Sequence, residues 1–440
     1  MLFRGWDRAY GRTVDAGRYR WVVLAVGTFA QASTASFFLG LAAVTPALRA
    51  HYGLGVAGVG ALVGVTSVGL VATLVAWGSA TDRFGERGVM AVGLVGASAA
   101  LGAATLVRSP VAAGALLVAA GASGASVNAA SGRAVLTWFP ARRRGFAMAV
   151  RQTSVPLGAG VAAVGLPVLA DRGGVPAVFG GLAAVCLLGA AASGLWIREP
   201  PGRPAARATT SASTGAVLRD RRLQRLSLAG GLLVIPQFLG SVLTVELLHT
   251  GRGVAAGTAA ALLSLTQVLG AAGRLGNGVW SDRAGRLRPL RIVAVAIAAG
   301  FALAALAFAT SPVALLAMVL VAAAALAICW NGLGFSAAGE LAPPGRAATA
   351  MAMTNTANYV GGAVTGPLGG AVAVSAGWPA MLLVGTAAAL AALWAGGLSL
   401  SPRSARSAAS AATAPRPSIA GQPAPAATAP PTAGVIAAPV

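Results

Sequence analysis

The sequence predicts an all-α integral membrane protein, with twelve transmembrane helices arranged as two pseudo-symmetric six-helix bundles. Three observations carry this prediction: an apolar composition, twelve apolar runs, and a loop motif that occurs twice. The chain has 440 residues, of which 57% are hydrophobic and 10% charged, and its mean hydropathy is +0.77. A soluble domain usually carries about 25% charged residues, and a soluble core of this size cannot bury so much apolar sequence. The composition therefore excludes a soluble globular enzyme.

Membrane spans are predicted from the lengths of the apolar runs. A helix that crosses a bilayer needs about 20 mostly apolar residues. Proline, glycine and charged residues divide the chain into twelve such runs. The predicted spans cover residues 21–47, 55–80, 88–107, 110–137, 146–169, 175–197, 226–248, 255–280, 290–309, 312–336, 347–374 and 378–398.

Five segments follow from these runs. They are a cytoplasmic N-terminal segment (1–20), an N-terminal six-helix bundle (21–197), a cytoplasmic central loop (198–225), a C-terminal six-helix bundle (226–398) and a cytoplasmic tail (399–440). The tail is rich in Pro, Ala, Ser and Thr without a hydrophobic period, so we expect it to be disordered. The apolar run from Trp21 is too long for a cleavable signal peptide, so we interpret it as the first span.

The charges predict the orientation. All 32 basic residues are arginine, and the formal net charge is +22. If the N-terminus is cytoplasmic, 25 arginines lie in cytoplasmic segments, 4 lie in outside segments and 3 lie within spans. Because cytoplasmic loops carry an excess of Lys and Arg, we expect both termini on the cytoplasmic side of the plasma (inner) membrane. Arginine clusters between spans are topology signals, so no nucleic-acid partner is expected.

A polar loop motif follows both the second and the eighth predicted span. The first copy contains Gly78, Asp82, Arg83, Gly85 and Arg87. The second copy, 200 residues later, contains Gly278, Asp282, Arg283, Gly285 and Arg286. A weaker match, with an offset of 203 residues, aligns Asn128 with Asn331. The repeats indicate two six-span halves in parallel.

The first copy has the pattern G-x-x-x-D-R-x-G-x-R. This pattern and its repeat resemble the signature loop of the major facilitator superfamily, as does the segment from Trp138 to Gly145. The resemblance covers about residues 15–400. It implies a secondary active transporter that moves a small solute by alternating access. It also implies that the ten motif residues form a latch, which holds the outward-facing state shut on its cytoplasmic side.

The motif residues also have a direct physical interpretation. The glycines permit close helix approach and a tight turn. Asp82 and Asp282 can cap the N-terminus of a neighbouring helix and can pair with Arg83 or Arg283.

Polar side chains inside the spans give the candidate substrate site. The Asn, Gln and ionisable side chains that lie well inside a span are on spans 1, 4, 5, 7, 8, 10 and 11. Buried polar groups in hydrocarbon normally face protein or a water-filled cavity. The superfamily places spans 3, 6, 9 and 12 on the outside, which fits this distribution. The substrate-binding candidates are Arg274, Arg151, Gln152, Gln31, Asn128, Gln237, Gln267, Asn331, Asn355 and Asn358.

The arginines indicate the substrate class. Arg274, Arg151 and Arg133 enter the membrane without an acidic partner nearby in sequence. The planar donors of a guanidinium group match the two oxygens of a carboxylate. We therefore expect the substrate to be a small organic anion, a mono- or dicarboxylate, with Arg274 as its main partner and Arg151 as its second. Arg274 and Gly278 resemble an arrangement of monocarboxylate transporters and oxalate/formate exchangers, in which the arginine holds the carboxylate. Monocarboxylate carriers typically have an aspartate at the position of Gly270. Proton coupling through an aspartate–arginine pair is therefore not expected here.

Alternatives remain open at this stage. Arg274 can instead bond helix-end carbonyls or Gln267. Arg133 can extend its charged end to the membrane surface or bond the latch residues. Interhelical hydrogen bonds explain the presence of each amide side chain equally well. The rival function is proton-coupled drug efflux by the same fold. A receptor that does not transport is a further possibility.

The remaining chemistry-bearing residues do not predict catalysis. The sequence contains no Ser/His/Asp set, paired carboxylates or metal-ligand cluster, so neither an enzyme nor a cofactor is expected. Cys186 and Cys329 lie in apolar segments, and His51 and His249 have no ligand partners at suitable spacing. The expected partners are the solute and the bilayer, with a proton gradient or anion exchange as the driving force. We expect a monomer.

Overall fold

The structure is a computed structural model that describes residues 16–200 and 212–397. The predicted tail, residues 1–15 of the N-terminal segment and residues 201–211 of the central loop lie outside the described residues. The helices are α1 (Ala16–Phe38), α2 (Thr45–Tyr52), α3 (Val56–Phe84), α4 (Glu86–Ala104), α5 (Pro110–Trp138), α6 (Ala141–Gln152), α7 (Ser154–Trp196), α8 (Thr214–Arg219), α9 (Arg221–Val242), α10 (Thr244–Arg252), α11 (Ala256–Ala284), α12 (Leu287–Thr310), α13 (Val313–Ile328), α14 (Asn331–Leu341) and α15 (Ala347–Ala395).

The described residues contain 10 helical stretches that are long and apolar enough to cross a membrane. Two of these stretches each contain two spans. Backbone angles inside α7 leave the helical region at Gly173 and Gly174, and those inside α15 leave it at Gly377. Gly174 and Gly377 have φ values of 64° and 86°, which glycine adopts without a steric penalty. The described chain therefore makes twelve crossings, as predicted.

Some predicted spans are built from two shorter helices. The fifth span breaks at Thr153, between α6 and α7. Pro156 follows three residues later, and its ring removes a backbone donor from the helix. The tenth span breaks between α13 and α14, where the Cys329 thiol donates to the carbonyl of Ala325 at 2.9 Å and competes with the backbone ladder. Both breaks expose backbone carbonyls near the middle of a span.

Glycines allow close helix packing within each bundle. A Cβ added at Gly121 on α5 would lie 2.0 Å from the carbonyl oxygen of Thr66 on α3. A Cβ added at Gly361 on α15 would lie 2.2 Å from the carbonyl oxygen of Gly231 on α9. Small residues of this kind let helix backbones approach closely in lipid, where hydrophobic association between helices contributes little. Each bundle therefore holds together through direct backbone contact.

Candidate functional site

The two bundles meet near one end of the spans. At this end α3, α5, α11 and α14 finish and α6 and α15 begin. We call it the basic end, because Arg83, Arg142, Arg143 and Arg283 are exposed there. The hydrogen bonds between the bundles described below lie in this half of the protein.

Asp82 binds the first turn of a helix in the opposite bundle. Its carboxylate, at the end of α3, is buried and accepts hydrogen bonds from the backbone nitrogens of Ala348 (3.1 Å) and Thr349 (2.9 Å). The Thr349 hydroxyl donates to the same carboxylate at 2.7 Å. The first backbone N–H groups of a helix have no partner within it, and a helix N-terminus favours negative charge. Asp82 therefore caps α15 across the interface.

Asp282 makes the corresponding contact in the other direction. At the end of α11, it accepts hydrogen bonds from the backbone nitrogens of Gly145 (2.7 Å) and Phe146 (3.0 Å) on α6. The motif glycines bring the helices close enough for these bonds. A Cβ at Gly278 would lie 2.7 Å from the Gly145 carbonyl oxygen, and one at Gly78 would lie 2.8 Å from Cβ of Ala352. Each bundle thus holds the helix that begins the fifth span of the other.

The predicted pairing of Asp82 with Arg83 is wrong. Its cation is Arg133 on α5, whose Nε lies 3.5 Å from Asp82 Oδ1. Arg133 Nη1 lies 3.3 Å from Glu86 Oε1 and donates to the Thr81 carbonyl at 3.0 Å. Arg83 is exposed over the ring of Phe84, because the residue after Asp82 lies about 100° further round the helix. Arg133 therefore has acidic partners that its sequence neighbourhood does not show.

The predicted pairing of Asp282 with Arg283 is also wrong. Arg283 is exposed, and Arg286 Nη1 lies 2.7 Å from Asp282 Oδ1 instead. Arg286 Nη2 lies 3.1 Å from Glu340 Oε1 and donates to the Ala141 carbonyl of α6 at 2.8 Å. Burial lowers the pKa of Arg286, but its hydrogen bonds to Glu340 and Asp282 outweigh that effect, so the pKa lies above its ordinary value. Arg286 therefore stays charged. It belongs to the second motif copy and bonds Ala141 in one bundle and Glu340 in the other.

Arg274 lies between the bundles and bonds two backbone carbonyls. It is 7% exposed. Its Nε donates to the carbonyl of Ile328 (2.8 Å), and its Nη1 donates to the carbonyl of Gln152 (3.0 Å) in the opposite bundle. Pro156, four residues after Gln152, has no N–H to serve that carbonyl. Arg274 Nη2 makes no hydrogen bond within the described part of the chain.

Arg151 belongs to a closed network in the N-terminal bundle. It is 2% exposed. Its Nη1 donates to Gln31 Oε1 (2.9 Å) and to Ser131 Oγ (3.1 Å), and its Nη2 donates to Gln152 Oε1 (2.6 Å). Gln31 in turn donates to Asn128 Oδ1 at 2.7 Å. All terminal nitrogens of Arg151 are therefore occupied by neighbouring side chains.

Gln152 connects the two arginines. Its side chain accepts from Arg151, and its backbone carbonyl accepts from Arg274. The guanidinium of Arg151 lies over the ring of Phe335, which belongs to the other bundle, at 5.8 Å from the ring centroid. The structure therefore brings both arginines to the bundle interface.

The amide candidates of the C-terminal bundle have fewer contacts. Gln267 Nε2 lies 3.5 Å from Ser241 Oγ. Asn355 is buried, at 9% exposure. The side-chain oxygens of Gln237, Asn331 and Asn358 are shielded from solvent and accept no hydrogen bond in the described chain. These three groups contrast with the paired amides of the N-terminal bundle.

Several side chains at the interface were not among the candidates. Glu86 lies on α4, Ser131 on α5, Glu340 on α14 and Thr349 on α15. Hydroxyl residues are common in this chain and give no distinct signal. The two glutamates are among only 10 acidic residues, so their position near the repeated motif was an available clue.

Two matching helical bundles, joined by the paired contacts of Asp82 and Asp282, are typical of a class of membrane transporters. Residues 24–366 match the Major Facilitator Superfamily. The chain belongs to this superfamily and is a multi-pass membrane transporter.

Relatives and solved structures agree with this assignment. The chain is 36% identical over 365 residues to an uncharacterized MFS-type transporter of Mycobacterium tuberculosis, covering 82% of this chain and 81% of the relative. The structure is similar to the E. coli fucose:proton symporter, at 18% identity and a TM-score of 0.70, covering 87% of this chain and 100% of that one. It is also similar to the human organic anion transporter MFSD10, at 18% identity and a TM-score of 0.68, covering 87% of this chain and 99% of that one. At these identities the two solved structures show the shared fold.

Proposed function

We propose that this protein is a secondary active transporter that moves a small organic anion, a mono- or dicarboxylate, by alternating access. The supporting observation is Arg274. It is buried between the bundles, pairs with no carboxylate in the described chain, and keeps Nη2 unbonded. A charged group held inside the membrane without a counterion is costly and is retained chiefly for function. Guanidinium presents a planar set of donors that matches a carboxylate.

Substrate binding at Arg274 would be linked to bundle movement. The Nη1 donor that would grip a carboxylate is the one that bonds Gln152 across the interface. A hydrogen bond from guanidinium to a carboxylate is stronger than one to a neutral carbonyl. The anion therefore competes for Arg274, weakens one contact between the bundles and favours their separation.

Arg151 has a supporting role in this proposal. Its nitrogens are bonded within the N-terminal bundle, so direct binding of substrate would require that network to open. Its charge still lies at the bundle interface, where it adds to the potential that attracts an anion. It also binds the side chain of Gln152, the residue whose backbone carbonyl accepts a hydrogen bond from Arg274.

The proposal includes an orientation. The arginine distribution places the basic end and both termini on the cytoplasmic side of the plasma membrane. The latch at the basic end then corresponds to an outward-facing state, in which solute reaches Arg274 from outside. Residues 21–197 and 226–398 would move as two bodies, joined by the central loop at 198–225. A proton gradient or exchange against a second anion would drive net transport.

Uptake into proteoliposomes tests the proposed substrate class. Full-length protein is reconstituted and given a panel of carboxylates and, separately, cationic dyes. Wild type should take up at least one carboxylate, and Arg274→Gln should reduce that uptake on the order of 100-fold, the loss expected for one strong charge-assisted contact. Arg172→Gln removes an exposed arginine and is the matched control. Dye uptake that Arg274→Gln leaves unchanged, with no carboxylate uptake, would contradict the proposal and favour drug efflux.

A further inference from the structure

The C-terminal bundle contains polar side chains that are buried but unpartnered. Trp330 is 1% exposed, and its indole Nε1 has no hydrogen-bond partner in the described chain. Asn358 is 8% exposed, and its Oδ1 also lacks a partner, as does Oδ1 of Asn331. Buried polar groups are nearly always hydrogen-bonded, and leaving them unpaired costs free energy. Three unpaired groups in one bundle therefore require an explanation.

Trp330 and Asn358 meet around Gly230 of α9. A Cβ added at Gly230 would lie 2.6 Å from Asn358 Oδ1 and 3.6 Å from Trp330 Cη2. On another side of the indole, a Cβ at Gly334 would lie 3.1 Å from Trp330 Cζ3. The two glycines thus make room for a large ring and a carboxamide whose Nε1 and Oδ1 have no partner among the described residues.

These groups begin two residues from the contact that holds Arg274. The Ile328 carbonyl accepts from Arg274 Nε at 2.8 Å, and Trp330 and Asn331 follow at the break in the tenth span. The next residue, Gly332, lies against the opposite bundle, because a Cβ there would be 3.6 Å from the Cα of Ala149. Trp330 and Asn331 therefore follow the residue whose carbonyl holds Arg274 and precede a residue that contacts the opposite bundle.

The equivalent position in the N-terminal bundle is paired. Asn128 precedes Asn331 by 203 residues in the internal repeat. Asn128 accepts a hydrogen bond from Gln31, which is itself bonded to Arg151. At this pair of repeat positions Asn128 is therefore bonded within its own bundle, whereas Oδ1 of Asn331 accepts no hydrogen bond in the described chain.

We propose that Asn331, Asn358 and Trp330 form a neutral hydrogen-bonding subsite for hydroxyl groups of the substrate. This inference rests on the proposed function, in which Arg274 holds the carboxylate of the same molecule. A hydroxyl both accepts from an indole N–H and donates to a carboxamide oxygen. An apolar chain would leave all three groups unpaired, and a second carboxylate could not donate to the amide oxygens. The substrate class is therefore hydroxylated carboxylates.

Matched substrate pairs test this subsite. Uptake into proteoliposomes is compared for lactate with propionate, malate with succinate, and gluconate with hexanoate, using the full-length protein. For at least one pair, wild type should take up the hydroxylated member at least 10-fold faster. Trp330→Phe and Asn358→Ala should bring that ratio towards one by slowing the hydroxylated member alone. Thr356→Val, which removes a hydroxyl that bonds its own helix at Ala352, is the control and should leave the ratio unchanged.

Each outcome has a distinct meaning. Carboxylate uptake with equal rates within every pair would overturn the subsite and leave the proposed function standing. Absence of carboxylate uptake by wild type would overturn both. Trp330→Phe keeps an aromatic ring while removing the indole N–H, so it remains informative if Asn358→Ala does not fold. If the indole of Trp330 is purely structural, Trp330→Phe should raise thermal stability and leave the ratio of the two uptake rates unchanged. That result would also overturn the subsite.

Discussion

Replacing Asp82 with asparagine should open the basic end. The carboxylate accepts three hydrogen bonds from α15, at 2.7 to 3.1 Å, and faces a helix N-terminus. Asparagine keeps one acceptor oxygen, so at least one of these bonds is lost. A hydrogen bond to a charged group contributes about 1.5–3 kcal/mol, and charge at a helix N-terminus adds about 0.3–1 kcal/mol. The closed state should lose about 3 kcal/mol, on the order of 100-fold in its equilibrium constant.

Spin-label distances measure this shift directly. Labels at Arg142→Cys on α6 and Arg288→Cys on α12 occupy exposed positions on opposite bundles at the basic end. Cys186 and Cys329, which are both buried, are first replaced by alanine. Asp82→Asn should move the population from the short distance to a longer one and slow transport, with membrane insertion unchanged. Asp171→Asn alters an exposed aspartate and is the control. A short distance retained in Asp82→Asn, with wild-type transport, would refute the latch.

Three further predictions concern the same interface. Gly278→Ala places a Cβ 2.7 Å from the Gly145 carbonyl oxygen and should lengthen the same label distance, whereas Gly276→Ala, with open space around its Cβ, should not. Pro156→Ala supplies a donor for the Gln152 carbonyl and should weaken its bond to Arg274, lowering the equilibrium constant for the closed state by about fivefold, the effect of about 1 kcal/mol; an unchanged distribution of label distances would contradict this. Glu340→Gln should change transport less than about fivefold, because the Glu340 side chain is 29% exposed and exposed ion pairs contribute about 0–1 kcal/mol; a loss as large as that of Asp82→Asn would contradict this.

The fold could be predicted because each span is specified locally. An apolar run of sufficient length is a helix in a bilayer, whatever its neighbours. The turn glycines Gly174 and Gly377 lie between predicted spans 5 and 6 and between spans 11 and 12, where the backbone leaves the helical region.

The site could be predicted only in part, because its contacts join distant residues. The repeat identifies Asp82 and Asp282, but it does not show which arginine each one pairs with. Arg133 reaches Asp82 from 51 residues away, across two helices. Arg286 lies four residues after Asp282, beyond the turn at Gly285, and its guanidinium reaches the carboxylate that the adjacent Arg283 does not. Arg274 bonds the backbone carbonyls of Ile328 and Gln152. Backbone carbonyls were one of the open alternatives, but the sequence does not show which carbonyls the side chain reaches.

Direct binding tests the central role of Arg274. Calorimetric titration of purified full-length protein with a carboxylate that wild type transports should give saturable binding. Arg274→Gln should weaken that binding at least 30-fold, and Arg274→Lys should restore only part of it, because lysine keeps the charge without the planar donor pair. Carboxylate binding of wild-type strength in Arg274→Gln would contradict the account.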